Sequence, residues 1–306
     1  PSIAGSDVEV YDVRDITCKG SNTNGVKVIH LGSRCTDCSY LKEFYYDGEN
    51  CAPGIPAWGF EKMLYKCPSL EKIVINNIKS MYSYTQLAPG YSYTGMFASG
   101  YAESGAISGS ICMPNLHTLD FTGCKFDTAF SWMFWRYVHG SSNAPDKAAM
   151  PNLINFIVTD TDTADVSRMS CLLAGCEQIE SVDLSSWDAS KVNTMYASFY
   201  KNYNLKNLVF MHNLGKGYTE KKANVNTVVN TSLNSIQNYT SYTLDLHWST
   251  LLTHESLIDV ITKLYDLNIT YGSTLYTQQL ILGEENLAKL TPEEIAIATN
   301  KGWTVS

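Results

Sequence analysis

The residues best suited to metal or redox chemistry are nine cysteines, five of which lie within the first 67 positions. Cys35 and Cys38 have the CxxC spacing that zinc sites and thiol redox sites use. A zinc site of this type needs further ligands, and no second CxxC is present. Two interpretations stay open: a metal or redox pair, and the favoured one, cysteines that are buried or locally paired.

A second group of ligand-type residues is the aspartate run Asp160, Asp162 and Asp165. Its spacing is similar to a calcium loop, but the glycine and the distal glutamate of an EF-hand are missing, which favours a solvated turn. The six histidines are scattered without an HExxH motif, and the sequence has no phosphate-binding glycine loop. We therefore predict no metal, no cofactor and no enzymatic activity.

The elements that carry these residues belong to a chain of 306 residues, long enough to bury a sizeable core without cross-links. Its formal charge of -8 gives no general attraction for nucleic acid, and no apolar stretch is long enough for a membrane-spanning helix. Residues 1–12 lack the basic and apolar regions of a signal peptide, which leaves secretion undecided. Twenty tyrosines and a charged fraction of 17% indicate an uncharged, tyrosine-rich surface.

A repeated pattern organises most of the chain. Six times, an apolar residue is followed three and five positions later by two more. The last two are separated by the period of one β-strand face, so each unit is predicted to begin with a short strand. The leading positions differ by 29, 46, 37, 26 and 26 residues, which gives a basic unit of 26 with insertions. The triplets are Leu41/Phe44/Tyr46, Leu70/Ile73/Ile75, Leu116/Leu119/Phe121, Leu153/Phe156/Val158, Ile179/Val182/Leu184 and Leu205/Leu208/Phe210.

A return segment follows each predicted strand and carries a second apolar doublet, such as Leu172-Leu173. The spacing of Val192, Met195 and Phe199 indicates a helical turn or irregular coil. One strand and one return segment make one coil. The sequence therefore predicts a repeat solenoid of short parallel strands with irregular or short helical return segments.

Residues 183–195, Asp-Leu-Ser-Ser-Trp-Asp-Ala-Ser-Lys-Val-Asn-Thr-Met, resemble the leucine-rich repeat of BspA-like bacterial surface proteins. In that family a unit reads as a strand, a Trp-Asp-x-Ser turn, a Val-x-x-Met segment and then Met-Phe-x-Gly-Cys. Residues 165–176 are similar to the second half of the same unit. The resemblance is close over 150–211 and degenerate over 38–149. Residues 280–304 are similar to the closing segment found on such repeats in gut bacteria and their phages.

The resemblance implies a right-handed, leucine-rich-repeat-like coil that is displayed and binds a partner, without a known active site. An open solenoid end must be closed, so we expect α+β caps on both sides. The expected division is an N-terminal cap over 1–37, the solenoid over 38–229 and a C-terminal capping segment over 230–306. Within the first cap, residues 26–31 read as a strand.

The C-terminal segment carries its own helix signals. Thr253 is predicted to N-cap a helix over 254–266, and a strand is expected near 280–282. Thr291 is predicted to cap a second helix with Pro292 at its first position, and Gly302 is placed to end that helix.

Two successive units carry insertions at the same register. The second doublet ordinarily precedes the next leading position by 7 residues, whereas positions 96 and 116, and positions 133 and 153, are 20 apart. Equivalent solenoid loops lie side by side, and tyrosine mixed with serine and glycine is typical of recognition loops. The alternative is that these rings only pack the loops onto the solenoid. The predicted partner-binding residues are Tyr82, Tyr84, Tyr91, Tyr93, Tyr101, Trp135, Arg136, Tyr137 and His139.

The outward strand positions form a second candidate surface. They are Tyr45, Val74, Asp120, Ile157, Asp183 and Val209, and four of these six are apolar or aromatic. Such a patch on a solvated sheet marks an interface, and an oligomer contact is the sharper interpretation. The alternative is that flanking loops cover it.

These features predict a non-enzymatic recognition or adhesion module on the cell surface or outside the cell, which binds a host protein or glycan. The alternative is a structural or receptor-binding component of a phage virion, such as a tail appendage. Both settings allow a homo-oligomer, and neither involves nucleic acid or a membrane span.

Overall fold

The protein is described here from a computed structural model. The residues that the structure describes are 15–19, 40–49, 67, 69–79, 81–82, 113–129, 150–169, 172–193, 195, 198–217, 243–271 and 278–306.

Short strands dominate this part of the chain, and the helices are few. The strands are β1 (Asp15–Lys19), β2 (Glu43–Asp47), β3 (Lys72–Asn76), β4 (Met81–Tyr82), β5 (Thr118–Asp120), β6 (Lys125–Ala129), β7 (Asn155–Ile157), β8 (Asp162–Arg168), β9 (Ser181–Asp183), β10 (Asn207–Val209), β11 (Thr243–Asp245), β12 (Gln278–Ile281) and β13 (Trp303–Val305). The helices are α1 (His254–Lys263), α2 (Leu267–Tyr271), α3 (Glu284–Leu287) and α4 (Pro292–Asn300).

The six predicted strands all form, as β2, β3, β5, β7, β9 and β10. Five parallel strands make one sheet in the order β1-β2-β3-β5-β7, and β9 pairs with β10 in a second, also parallel. The register places Phe44 opposite Ile73, Ile73 opposite Leu119 and Leu119 opposite Phe156. These inward residues are buried, as the alternation of apolar residues predicts.

The same backbone hydrogen bonds join successive units. In one unit, the carbonyl of Lys42 accepts from the amides of Glu71 (2.7 Å) and Lys72 (3.1 Å) of the next. The carbonyl of Glu71 accepts in turn from His117 at 3.0 Å, and that of Glu180 accepts from Lys206 at 2.9 Å. Each leading residue therefore lies beside its counterpart in the neighbouring unit.

A recurring turn precedes these strands. The amide of the leading residue donates to the carbonyl three positions earlier, for example from Leu70 to Cys67 at 3.2 Å. The carbonyl-bearing residue of each such turn is fully buried. In one unit it is Asn202, whose amide Nδ2 donates to the carbonyls of Leu173 (2.9 Å) and Cys176 (3.1 Å) of the unit before. The residues at this buried position are Cys67, Met113, Met150, Cys176 and Asn202.

The return segments differ in part from the prediction. After Phe121 and Val158 the chain forms strands rather than helical turns or coil, and β4, β6 and β8 make a parallel sheet. The physical reason is visible in β8, where Thr163 and Val166 are each buried between more exposed neighbours, which suits a strand. Over 186–204 the described residues form turns and irregular coil, as expected.

Trp187 fills the core of the repeat unit that begins at Ile179. It is fully buried, its Nε1 donates to the Thr161 hydroxyl at 2.7 Å, and it makes an edge contact with Phe156 at 6.3 Å between ring centroids. A buried indole needs such a partner because an unsatisfied N–H is costly. The tryptophan of the Trp-Asp turn is therefore a packing residue.

The C-terminal helix signals are confirmed. The Thr253 hydroxyl accepts from the Ser256 amide at 3.2 Å and so caps α1, which ends at Lys263 rather than at 266 because the chain becomes extended at Leu264. Thr291 and Glu294 form a capping box on α4. Gly302 follows with φ of 87°, the left-handed conformation that glycine adopts most readily. The predicted strand is β12, the centre of the sheet β11-β12-β13.

Helix α1 lies along strand β10 and satisfies its backbone with side chains. The Leu208 amide donates to Ser256 Oγ at 2.9 Å, and the Phe210 amide donates to Asp259 Oδ2 at 2.6 Å. Lys263 Nζ donates to the Phe210 carbonyl at 3.0 Å. These polar groups bond the backbone of β10 as a neighbouring strand would. The covered edge of β10 is therefore protected from pairing with other chains.

The N-terminal segment is described only at β1, which pairs in parallel with β2. The strand expected at 26–31 and the CxxC cysteines lie outside the described residues.

Candidate recognition surface

The predicted loop residues fall almost entirely outside the part of the chain that the structure describes. Tyr82 lies in β4, where the backbone alone is described. The others outside the described residues are Tyr84, Tyr91, Tyr93, Tyr101, Trp135, Arg136, Tyr137 and His139.

The outward strand positions do line up. Tyr45 lies opposite Val74, Val74 opposite Asp120, and Asp120 opposite Ile157. In the β9-β10 pair Asp183 lies opposite Val209. We call these six outward residues the strand-face row.

The apolar members of the row are accessible to different degrees. Ile157 keeps 37% of its surface exposed and Val209 39%, whereas Tyr45 and Val74 are partly buried. Ile154, which follows a leading residue, is exposed as well. The described residues therefore present separate aliphatic side chains around β7 and β10.

Polar contacts hold Tyr45 in place. Its hydroxyl donates to the Glu43 carboxylate, and Lys72 Nζ lies 5.2 Å from the centre of its ring. A tyrosine fixed on both its polar and its aromatic side loses little conformational entropy when a partner binds.

Charged side chains form ion pairs beside the row. Lys42 Nζ lies 2.6 Å from Glu71 Oε1, and Lys206 Nζ lies 3.0 Å from Glu180 Oε2. The hydrogen bond from Lys42 lowers the pKa of Glu71 below its ordinary value. Such exposed pairs add little stability, but they place charged groups just before the strands of the row.

The two aspartates of the row are oriented by their own turns. Asp120 Oδ1 accepts from the Thr122 amide at 2.8 Å and from its hydroxyl at 2.7 Å. Asp183 Oδ1 accepts from the Ser185 amide at 2.9 Å. These bonds explain why aspartate follows the inward residue in both strands, since it terminates the strand in a local turn.

The aspartate run at 160–165 is engaged by lysines. Lys125 Nζ lies 3.4 Å from Asp162 and 3.0 Å from Asp165, and Lys191 Nζ lies 2.7 Å from Asp165. Hydrogen bonds from these lysines lower the pKa of Asp165 to about 2. Among the described residues, no group of three or more histidine, cysteine or acidic side chains is placed to hold a metal ion.

No helix within the described ranges has the length and apolar character needed to cross a membrane.

Comparison with models of protein families, with curated protein sequences and with solved structures gave no match to this chain. Its function therefore has to be argued from the chemistry of its own residues.

Two features were not anticipated from the sequence. Ile154 was missed because it falls one position after a leading residue, outside the triplet. Strand β11 belongs to a further copy of the strand pattern, and the Ser249 amide donates to the Leu246 carbonyl at 2.9 Å as the Cys124 amide donates to the Phe121 carbonyl at 3.1 Å. The signal was present in Thr243-Leu244-Asp245-Leu246, which parallels Thr118-Leu119-Asp120-Phe121.

Proposed function

We propose that this chain is a non-enzymatic recognition module built as a leucine-rich-repeat-like solenoid of the BspA-like type, displayed at a cell surface. The repeated strand register and the repeated hydrogen bonds between leading segments support this architecture. The observation that carries the functional proposal is the strand-face row, which presents the exposed aliphatic residues Ile157 and Val209.

The proposed ligand of the strand face is a protein. Ile157 and Val209 are exposed aliphatic side chains among polar and charged residues, a mixed composition that protein interfaces share. A sugar ring is more often bound against an aromatic face. The acidic chain, with a formal charge of -8, favours a partner whose contact surface is neutral or basic.

The same row supports a second candidate, a phage virion component in which copies of this chain contact one another through the strand face. The two candidates share the surface and differ in its occupant. They are separated by whether the strand face holds copies of this chain together in solution.

The binding of the fluorescently labelled chain to cultured epithelial cells tests the first candidate. We expect Ile157→Ser combined with Val209→Ser to weaken binding at least about tenfold, equivalent to about 1.4 kcal/mol. The matched control is Ile269→Ser, which removes an isoleucine that is 74% exposed on α2. Its binding should equal that of the wild-type chain.

Pretreatment of the cells identifies the ligand class. Protease treatment should abolish binding and periodate oxidation of surface glycans should leave it unchanged. Binding that survives the double substitution, or no binding to the untreated cells, would contradict the proposed strand-face function.

The inserted loops are proposed as an extension of this surface on sequence grounds. Replacing Tyr101, Trp135 and Tyr137 by alanine should reduce cell binding while the midpoint of thermal unfolding changes little. An equal loss of thermal stability would instead assign these rings to packing.

A further inference from the structure

Three aromatic rings and one imidazole lie together where the turn before β10 meets the turn after β11. Tyr200 and Tyr203 belong to the turn before β10, and His247 and Trp248 follow β11. Tyr200 is buried, whereas Tyr203 keeps 39% of its surface exposed and Trp248 is partly exposed. We call Tyr203, His247 and Trp248 the Trp248 patch.

The rings of this cluster are packed around the indole. The Trp248 ring centre lies 5.4 Å from that of Tyr200 and 5.8 Å from that of Tyr203, with interplanar angles of 75° and 79°. The His247 ring lies 4.5 Å from Trp248. Edge-to-face contacts at these distances are favourable, so the buried Tyr200 supports the exposed rings.

A buried carboxylate orients the imidazole. Asp245 Oδ1 lies 3.0 Å from the His247 backbone amide and 2.5 Å from His247 Nδ1. Because the carboxylate oxygen is an acceptor, Nδ1 carries the proton, which leaves Nε2 of the neutral ring as an acceptor. The His247 side chain is 28% exposed. The patch thus has a fixed hydrogen-bond acceptor beside an aromatic surface.

Asp245 has the strand position of Asp120 and Asp183, and like them it accepts a hydrogen bond from the amide two residues on. It differs from them in burial, since Asp245 is only 5% exposed. Its Oδ2 has no hydrogen-bond partner among the described residues. A buried carboxylate is costly, and the bonds from the His247 amide and Nδ1 offset part of that cost.

Close backbone packing keeps the histidine in this place. Gly283 has φ of 77°, and a Cβ built on it would lie 3.0 Å from the Cβ of His247. A side chain at position 283 would therefore press on the imidazole.

We propose that the Trp248 patch binds a neutral pyranose sugar. The aromatic surface suits the apolar CH face of a sugar ring, and His247 Nε2 accepts a hydrogen bond from a ring hydroxyl. Aromatic side chains beside one or two convergent polar groups are typical of small-ligand sites. The site is independent of the strand-face row.

Saturation-transfer NMR of the full chain with a panel of neutral mono- and oligosaccharides tests the proposal. At sugar concentrations on the order of 10 mM, which detect millimolar affinities, we expect transfer to the ring CH protons of at least one sugar. Tyr203→Ala and His247→Ala should each weaken the affinity for that sugar at least about tenfold. Tyr40→Ala, which removes another exposed tyrosine, should leave it unchanged.

The fold of each variant is checked by its thermal unfolding midpoint, so that loss of the sugar signal with wild-type stability reports on the site. His247→Gln keeps a polar side chain and should retain more affinity than His247→Ala. The proposal is overturned if no neutral sugar of the panel gives transfer, if only acidic sugars bind, or if Tyr203→Ala binds like the wild-type chain.

Discussion

Replacing Asn202 by alanine should lower the free energy of unfolding by more than the replacement of a partly buried asparagine does. Asn202 is fully buried, and its amide Nδ2 joins two units by donating to the Leu173 and Cys176 carbonyls. Each of these carbonyls also accepts a backbone amide, from Cys176 at 3.1 Å and from Ile179 at 3.4 Å, so neither becomes an orphan in the variant.

The expected loss follows from these contacts. Two buried hydrogen bonds contribute about 1 kcal/mol each. The small cavity left by the side chain adds to the loss, while removal of Oδ1, which has no partner among the described residues, offsets part of it. We expect the free energy of unfolding to fall by about 2 kcal/mol, which corresponds to a shift of about 0.7 M in the urea midpoint for a slope of about 3 kcal/mol/M.

The assay is equilibrium unfolding in urea followed by far-UV circular dichroism and by tryptophan fluorescence, because two probes show whether the chain unfolds in one step. The matched control is Asn204→Ala in the same turn. Asn204 is only partly buried, and its amide makes one bond, to the Glu177 carbonyl at 2.9 Å. It should cost at most about 0.5 kcal/mol. An Asn202→Ala midpoint no lower than that of the control would refute the reasoning.

Two further predictions concern the cap and the thiols. Asp259→Ala leaves the Phe210 amide without its acceptor, so hydrogen exchange at that amide should accelerate at least about tenfold. Asp259→Asn should preserve most of the protection. Unchanged exchange in the alanine variant would contradict the edge-covering role of α1. Burial raises the pKa of Cys124 and of Cys176 to about 12, whereas the same thiols titrate near 9.0 when unfolded. The stability that comes from keeping these thiols neutral should therefore be fully present below pH 9 and should be lost as pH rises from about 9 towards 12. Both thiols should resist iodoacetamide at pH 8 until the chain unfolds, as peptide mass spectrometry would report, and rapid labelling of the native chain would contradict their burial.

The strands were predictable because each depends on local spacing. A residue such as Ile73 or Leu119 can be buried in a short strand only if its neighbours two positions away share its face, and this rule operates within a few residues. The starts of α1 and α4 were predictable for the same reason, since Thr253 and Thr291 cap through bonds to residues three positions on.

Long-range contacts could not be read in the same way. Asp259 was visible only as a polar position on a helix, and its bond to the Phe210 amide depends on where α1 lies against β10. The second sheet was missed because the polar residues of β6 and β8 weaken the apolar alternation around Phe126 and Val166.

The candidate surface was predictable in part. The alternation that buries Phe156 also places Ile157 outward, so the strand-face row followed from the triplets. The Trp248 patch could not be predicted. It combines the Asp245–His247 bond with the contact between Trp248 and Tyr203, and Tyr203 lies in a different unit, which no spacing rule within one unit indicates.

The solution mass of the purified chain, measured by multi-angle light scattering, tests the central claim most directly. If the strand face is open for a foreign protein, the chain should be a monomer of 34.0 kDa, and the Ile157→Ser/Val209→Ser variant should have the same mass. A stable trimer of about three times that mass, dissociated by the same double substitution, would contradict the account and make the strand face a contact between copies of this chain.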